Sequence, residues 1–591
     1  MTNYIKKILL ILNFEERKKI IYAVIFSIIK SLFEIATIGL IIPIISFFLD
    51  DKNKISLFIM DISFINSLSK KEILAFLIFL FLIVYLIKTL FLLFYNSWTS
   101  NFINNLSINL INRVLNKYLS KNYLFFLQNN TAFLVRNILN ETSVFSLSVV
   151  GGFIGFVTSF FVAISLNILF LIFNIYAGFV LLILVSIGFI FLNATKRLSS
   201  KFGIIRQESS ALLLKNVNEL IGKIKEIILY DKKKILVEDI NENGKKFYKS
   251  NRYRDTTTAY TGPIIEFVSI FVILIFFLYL NIFTNIDQSK IAVILGVFIF
   301  TLMRLLPTII AMFRYLQILK FNAPVIDIMY NILLGHNDEI KSREQIIKEK
   351  FQENINIQSD KIDIKKIKFK NVNFYYNNIK LPALQNLNFE INAGDKIALI
   401  GSTGSGKTTL LNILTTLIEP SSGSINVNDQ EISKITRKYR NSLSYVSQSV
   451  YLSDSSVISN VTLEKNFSYD DEMKAFSILQ NLGLKSINET PILDINTVGE
   501  RGTKLSGGQI QRIGLARAIF RNPNILILDE STAALDKETE EQVLNFIFKE
   551  FANKIVILST HKKELLKYCN KIIEVKNKEI IITSNIKNKN S

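Results

Sequence analysis

Long apolar stretches recur through the first 320 residues, and nothing else in the sequence limits the fold as strongly. Between Lys19 and Lys320 runs of about 20 residues or more follow one another, each long enough to cross the ~30 Å hydrocarbon core of a bilayer as a helix. Six spans are expected, over 19–49, 73–97, 144–171, 175–195, 257–281 and 289–316, the third and fourth parted only by a tight turn near Asn174. Buried helices of a soluble protein are the alternative. The polar surface left over in this part of the chain is too small to cover six of them. The hydrophobic share of 50% and mean hydropathy of +0.33 agree with membrane segments rather than with an oversized soluble core.

The formal net charge of +20 raises a nucleic-acid reading, which the distribution of charge removes. Lysine is abundant everywhere, and no basic patch is interleaved with aromatic residues in the manner of a recognition surface. No nucleic-acid partner is expected. The basic residues concentrate instead between about Thr195 and Thr256, from Lys196 and Arg197 to Arg252 and Arg254, while the connections after spans 1, 3 and 5 carry few. That bias places both termini on the cytoplasmic side of a multi-pass protein. The single cysteine, Cys569, rules out an intrachain disulfide, and two histidines, His336 and His561, are too few for a zinc cluster. The N-terminal apolar run Ile8 to Phe14 is short and is followed by Glu15 to Lys19 with no small-residue cleavage site, so an amphipathic surface helix is expected rather than a signal peptide.

The connections 98–143 and 196–256 are too long for turns and have helical patterns, which extends the membrane helices well into the cytoplasm. The expected organisation is a membrane domain over 1–320, a charged connection over 321–361, and a second domain over 362–591 in which strands and helices alternate as in an α/β fold.

In that second domain Gly401-Ser402-Thr403-Gly404-Ser405-Gly406-Lys407-Thr408 follows the apolar strand Lys396 to Ile400 and opens a helix that begins with Thr409. This is a phosphate-binding loop in its required setting: glycines let backbone N–H groups wrap phosphates at a helix N-terminus. Lys407 is placed for β/γ oxygens and the Thr408 hydroxyl for Mg2+. A second strand, Ile525 to Leu528, ends in Asp529-Glu530; the aspartate is a candidate metal ligand and Glu530 a candidate general base.

Between these motifs lies Leu505-Ser506-Gly507-Gly508-Gln509, running into the helix Ile510 to Phe520 about 20 residues before Asp529. At this spacing it resembles the signature of ABC proteins. Gln448 resembles that family's Q-loop residue and a further Mg2+ contact, Asp536 in Ala534-Leu535-Asp536 its D-loop, His561 its switch histidine, and Tyr376 the aromatic that stacks on adenine. The resemblance covers about 362–585. It implies an α-helical polytopic membrane domain with long cytoplasmic extensions joined to an α/β P-loop ATPase domain, with ATP and Mg2+ as cofactors. It also implies that Glu530, His561 and Gln448 serve hydrolysis, and that Leu505 to Gln509 cap the ATP of a second copy of the chain. A homodimer is the simplest closure, and a heterodimer remains open.

The six helices and their extensions resemble ABC exporters, and Asn122 to Thr131 and Glu226 to Lys233 resemble that group's coupling helices. For a substrate path the intramembrane charges are the only direct clue. Lys30 and Glu34 stand four apart, as an intrahelical pair would; Lys88, Arg304, Glu266 and Arg314 are the candidate lining residues, and basic groups suit an anionic head. The stretches Phe33 to Pro43, Asn218 to Ile227 and Met303 to Pro307 resemble PglK-type flippases of lipid-linked oligosaccharides, and loop 51–70 their external helix. The resemblance implies movement of a polyprenyl-pyrophosphate-linked glycan across a bacterial inner membrane. Lipid A, phospholipid, drug or peptide export stays open, with an ATP-gated channel or regulatory subunit further off.

Overall fold

The computed structural model describes residues 2–48, 70–173, 175–283, 288–335, 361–376, 381–487 and 490–584. Loop 51–70, apart from Lys70, lies outside the described residues. The chain divides into two units, Met1–Lys121 with Phe125–Lys341, and Asn122–Leu124 with Ser342–Ser591.

The first unit is helical: α1 (Thr2–Ile11), α2 (Phe14–Phe48), α3 (Lys70–Leu119), α4 (Gly151–Phe173), α5 (Ile175–Gly222), α6 (Lys233–Phe283), α7 (Gln288–Phe321) and α8 (Ala323–Leu333). At 50 residues α3 runs ~75 Å at 1.5 Å per residue, far beyond the ~30 Å it needs to cross hydrocarbon. The long connections read from sequence are therefore continuations of the membrane helices. Among the described residues Phe14–Ile41, Lys71–Leu119 and Thr131–Leu169 are long and apolar enough to span a membrane, and Leu305–Phe321 qualifies together with Ala323–Leu333, bent by 50°. The spans expected over 175–195, 257–281 and 289–316 fall within α5, α6 and α7, parts of which lie outside the residues whose side chains are described.

Two features depart from expectation. Residues 323–333, assigned to the connection between domains, form α8 of the first unit, with Val325, Ile326 and Met329 buried. Helix α1 packs on it: Ile8 and Ile11 are buried in the same cluster, and the Lys7 ammonium meets Asp327 Oδ1 at 2.5 Å. The chain from α3 to α4 passes short helices Tyr123–Gln128 and Thr131–Arg136 and then two π-helical turns, Asn137–Glu141 and Phe145–Val150. The carboxylate of Glu141 is fully buried there against Arg206 at 3.2 Å and Arg136 at 3.8 Å.

The second unit holds β1 (Lys366–Phe374), β2 (Leu384–Asn392), β3 (Lys396–Ile400), β4 (Ser422–Val427), β5 (Gln430–Glu431), β6 (Leu443–Val446), β7 (Ser486–Ile487), β8 (Thr490–Pro491), β9 (Ile525–Asp529), β10 (Ile555–Ser559), β11 (Lys571–Lys576) and β12 (Glu579–Ser584). The central sheet has the order β12-β11-β3-β10-β9-β6, parallel except for the edge strand β12. Strands β3, β9 and β10 are unbroken apolar runs because both faces are covered. Along β9, Ile525 and Ile527 point to one core, while Leu526 and Leu528 point to the other. The first core also takes the helix α9 (Lys407–Leu414), and the second takes α11 (Gly507–Phe520), so two nucleotide motifs are carried on opposite faces of one sheet. Helices α10 (Tyr469–Asn481) and α12 (Lys537–Glu550) complete the second layer.

Candidate active site

The sheet order decides where the site lies. Strands β3, β10, β9 and β6 are consecutive neighbours and parallel, so the segments leaving their carboxyl ends emerge along one edge, the usual ligand side of an open α/β sheet. The phosphate loop leaves β3, Glu530 follows β9, His561 follows β10, and Gln448 follows β6. The pairing of Ser559 with both Asp529 and Leu399 keeps these exits level.

The phosphate loop has the backbone such a cradle requires. Gly406 caps α9 at φ +114°, and a Cβ there would stand 2.8 Å from Leu384 Cδ2 and 3.0 Å from the Ala383 carbonyl. Only glycine fits. The Lys407 ammonium donates to the loop's own Gly401 and Ser402 carbonyls at 2.7 and 3.1 Å. The Ser405 hydroxyl is buried within the loop without a hydrogen-bond partner among the described residues. A cation turned onto its own loop and an unbonded buried hydroxyl are what a nucleotide phosphate would engage, so the residues fit the group they were expected to hold. Thr403, Gly404 and Thr408 are exposed at the mouth. The hard oxygen donors Thr408 and Asp529, with the Gln448 amide, match Mg2+ chemistry. Among the described residues no cluster of three or more His, Cys, Asp or Glu forms a protein-only metal cage.

Glu530 is where the structure is most specific. It adopts φ +47°, a left-handed conformation worth about 1–3 kcal/mol of strain for a non-glycine residue, and this turns the chain sharply after β9. Its backbone N–H donates to Ser559 O at 3.2 Å. The carboxylate is gripped from two sides: Gln448 Nε2 donates to Oε2 at 2.8 Å, and His561 Nε2 lies 3.2 Å from Oε1. Three residues picked from separate motifs thus meet in one contact chain.

The signature turn is built as a capping box. Ser506 Oγ accepts from Gln509 N at 3.3 Å and Gln509 Oε1 accepts from Ser506 N at 2.7 Å, at the start of α11. Asp536 caps α12 through Thr539 N at 2.9 Å; the Thr539 hydrogen bonds hold its carboxyl below the usual range. Tyr376 is half-buried, with its hydroxyl 3.1 Å from Thr409 Oγ1 and its ring edge-on to Phe374, while its neighbour Tyr375 is the more exposed ring.

Two residues at this site were not picked out from sequence. Tyr445 donates its hydroxyl to Asp529 Oδ2 at 2.9 Å, and burial followed by the Asp529 charge pushes its phenol well up. Gln511, buried on α11, accepts from Ala534 N at 2.9 Å and so ties the signature helix to the D-loop. Each sits in an apolar-looking stretch, where a tyrosine or glutamine gives no pattern of its own.

Lys88 is buried against Glu34 of the neighbouring helix α2 at 2.8 Å, not exposed to a path. Glu34 therefore pairs between helices, while its charge also acts on Lys30 within α2. Glu266 and Arg314 are exposed on α6 and α7, and the side chain of Arg304 lies outside the described residues.

Comparison with known proteins agrees with this geometry. Residues 20–306 match the family model described as the ABC transporter transmembrane region, and residues 384–533 match the ABC transporter model. The chain is 38% identical over 226 residues to the ATP-dependent lipid A-core flippase of Wigglesworthia glossinidia brevipalpis. It is 36% identical over 239 residues to the lactococcin-G-processing and transport ATP-binding protein LagD of Lactococcus lactis subsp. lactis. These matches take in 36% and 40% of this chain and 37% and 33% of the relatives, so the chain spans about a third of the length of the curated proteins it matches. The solved structure of a bacterial Atm1-family ABC exporter with ATP bound superposes with a TM-score of 0.76 over 96% of this chain and 95% of that one, at 16% identity, which shows a shared fold.

Proposed function

For a chain that belongs to the ABC transporter family, carrying that family's transmembrane region and its nucleotide-binding domain, we propose ATP-driven movement of a lipid with a phosphorylated saccharide head across a bacterial inner membrane. The observation that carries the ATPase is Glu530 held between Gln448 and His561 at the edge from which the phosphate loop also leaves. In this arrangement Glu530 accepts the proton of the attacking water, and the two contacts fix its carboxylate for the in-line approach. Lys407 exchanges its loop carbonyls for the phosphate oxygens, and Ser405 adds a donor. Mg2+, when bound through Thr408, Gln448 and Asp529, supplies charge neutralisation on the phosphates. Tyr445 orients Asp529 for that task.

Each chain brings one phosphate loop and one signature turn, and two copies in a C2 dimer give each ATP both. Closure around ATP draws the cytoplasmic ends of the helices together, and hydrolysis releases them. Both termini and the ATPase domain face the cytoplasm on the charge distribution. The short helices Tyr123–Gln128 and Ile224–Leu229 lie at the two turns proposed to receive the ATPase motion. The finer substrate reading is a polyprenyl-pyrophosphate-linked oligosaccharide, from the resemblance of α2 and α7. A second reading, lipid A, is favoured by the printed function of the Wigglesworthia relative. Reconstitution of the full chain in liposomes with either lipid, fluorescently tagged, tests both: ATP-dependent loss of tag accessibility on one leaflet is expected for one of them. Absence of ATP-dependent movement for both overturns the proposal.

A further inference from the structure

The membrane unit contains a cavity of about 690 Å3 walled by α2, α3, the segment leading into α4, α4 itself and α7. Among the described residues two charged side chains line it, Lys30 and Glu34. Glu34 meets Lys88 at 2.8 Å, behind the wall, and its charge also acts on Lys30. Two ammonium groups share one carboxylate, so this end of the cavity carries one positive charge in excess.

The remaining polar lining is neutral and rich in hydroxyl and amide groups. On α3, Asn96, Thr99, Ser100 and Asn104 recur three to four residues apart and so share one face. Two kinds of group must be told apart. Tyr95 and Thr158 bond each other at 2.8 Å and Ser27 at 3.3 and 2.7 Å, a closed set that stiffens the wall. Thr99 Oγ1, by contrast, is buried without a hydrogen-bond partner among the described residues, and a buried hydroxyl left unbonded is costly unless something else bonds it. Room is made by glycine: a Cβ on Gly155 would overlap the ring of Tyr315 at 2.4 Å, so that ring closes one side only because position 155 is bare. The volume lies within the ~300–1,000 Å3 range of small-molecule pockets, enough for a head group and too little for long acyl or prenyl chains.

Resting on the transport reading above, we propose that this cavity is the head-group site, in which the Lys30 ammonium binds a phosphate and Thr99 with the α3 amides binds the hydroxyls of the adjoining sugar. The shared chemistry is a phosphorylated saccharide, whether its source is a polyprenyl diphosphate glycan or lipid A. A cationic drug is disfavoured by Lys30, and a purely apolar one leaves Thr99 unbonded.

The test is equilibrium binding of radiolabelled lipid to the full chain in detergent, with four probes: undecaprenyl diphosphate bearing N-acetylglucosamine, lipid A, neutral glucosyl diacylglycerol, and phosphatidylglycerol. At least one of the first two binds about tenfold or more tighter than both others, matching the strength of a charge-assisted hydrogen bond. Lys30→Gln abolishes the preference over the neutral glycolipid while keeping affinity for that glycolipid itself, which reports an intact fold. Thr99→Val narrows the gap between glycolipid and phosphatidylglycerol. A preference over the neutral glycolipid that survives Lys30→Gln, or phosphatidylglycerol bound as tightly as the phosphorylated glycolipids, overturns the site. Loss of flipping with the Lys30 effect intact overturns the transport proposal alone, and flipping with no Lys30 effect overturns the site alone.

Discussion

Replacing Glu530 with glutamine isolates basicity from geometry. The amide has nearly the shape of the carboxylate, so its oxygen still accepts from Gln448, now at 2.8 Å, and its nitrogen faces His561, now at 3.2 Å. The left-handed backbone at φ +47° and the Ser559 hydrogen bond are set by the main chain and persist. What disappears is the proton acceptor. A positioned general base contributes about 10²–10⁴-fold, or about 2.7–5.4 kcal/mol at 1.36 kcal/mol per decade. Phosphate release by the full chain therefore falls by two to four orders of magnitude. Affinity for a fluorescent ATP analogue stays within about twofold, because Lys407 and Ser405 are untouched. ATP then accumulates on the variant and holds chains together, visible as a stable dimer on light scattering. Glu530→Ala, which also strips Gln448 and His561 of their common partner, weakens ATP-driven dimerisation as well. Hydrolysis by Glu530→Gln within threefold of the parent refutes the assignment.

In the membrane unit, Glu34→Gln strands the buried Lys88 ammonium and lowers stability by about 3–5 kcal/mol, read as early loss of monodisperse protein on heating; Lys88→Gln leaves Glu34 the charge of Lys30 and costs less, and the exchange Glu34→Lys with Lys88→Glu recovers part of the loss. Two single variants as stable as the parent would mean that the pair is not desolvated. Gly406→Ala clashes with Leu384 and Ala383 and reduces nucleotide affinity tenfold or more, whereas Gly394→Ala, also at positive φ but with nothing within 4 Å of its Cβ, does not. Equal effects would remove the steric explanation. Burial pushes the Cys569 thiol up to about 12, so maleimide labelling of the folded chain at pH 8 is slow and follows unfolding by denaturant. The sign is that of a raised acid: the thiol's contribution to stability is present below pH 9 and is lost as pH climbs from 9 towards 12, where the unfolded chain has released its proton and the folded chain has not.

The parts legible in the sequence are those written in local pattern. Apolar run length gave the helices, because a segment that must satisfy its own backbone in lipid has no other form. The phosphate loop gave its own backbone through Gly401, Gly404 and Gly406, all at positive φ in the structure. Contacts between distant segments were not legible. Nothing near Lys88 announces Glu34, 54 positions earlier, so a paired lysine looked like a lone one. Nothing in the sequence singles out Tyr445, whose partner is fixed only when the sheet places β6 beside β9 and brings its hydroxyl to Asp529. The π turns at 137–141 and 145–150 left no trace in helix propensity, and the buried Glu141 at the end of the first meets Arg206 from 65 positions away. Helix α8 was missed because Ala323 to Leu333 adjoins a charged stretch; its apolar face becomes visible only against α1.

The demand for two chains has a direct test in mixed dimers. In α11 the Ser506–Gln509 capping box satisfies two of the backbone donors at the helix start, and Gly507 and Gly508 present the next N–H groups with no side chain in front of them. Such a turn suits an approaching anion, and each chain owns one turn and one phosphate loop. If the turn served the ATP of its own chain, a Lys407→Ala chain and a Gly508→Asp chain would each be dead, and mixing them would restore nothing. If it serves the partner's ATP, the mixed dimer pairs both defects in one site and leaves the other site whole. With equal co-expression and random pairing, half of the dimers are mixed and each has one good site of two, so about a quarter of the parental phosphate release returns if the sites work independently. Purifying the mixed species with two different affinity tags raises that to about half. Recovery fixes the sandwich of two chains and the direction in which the signature acts; a mixed dimer as inactive as either parent means that each chain completes its own site.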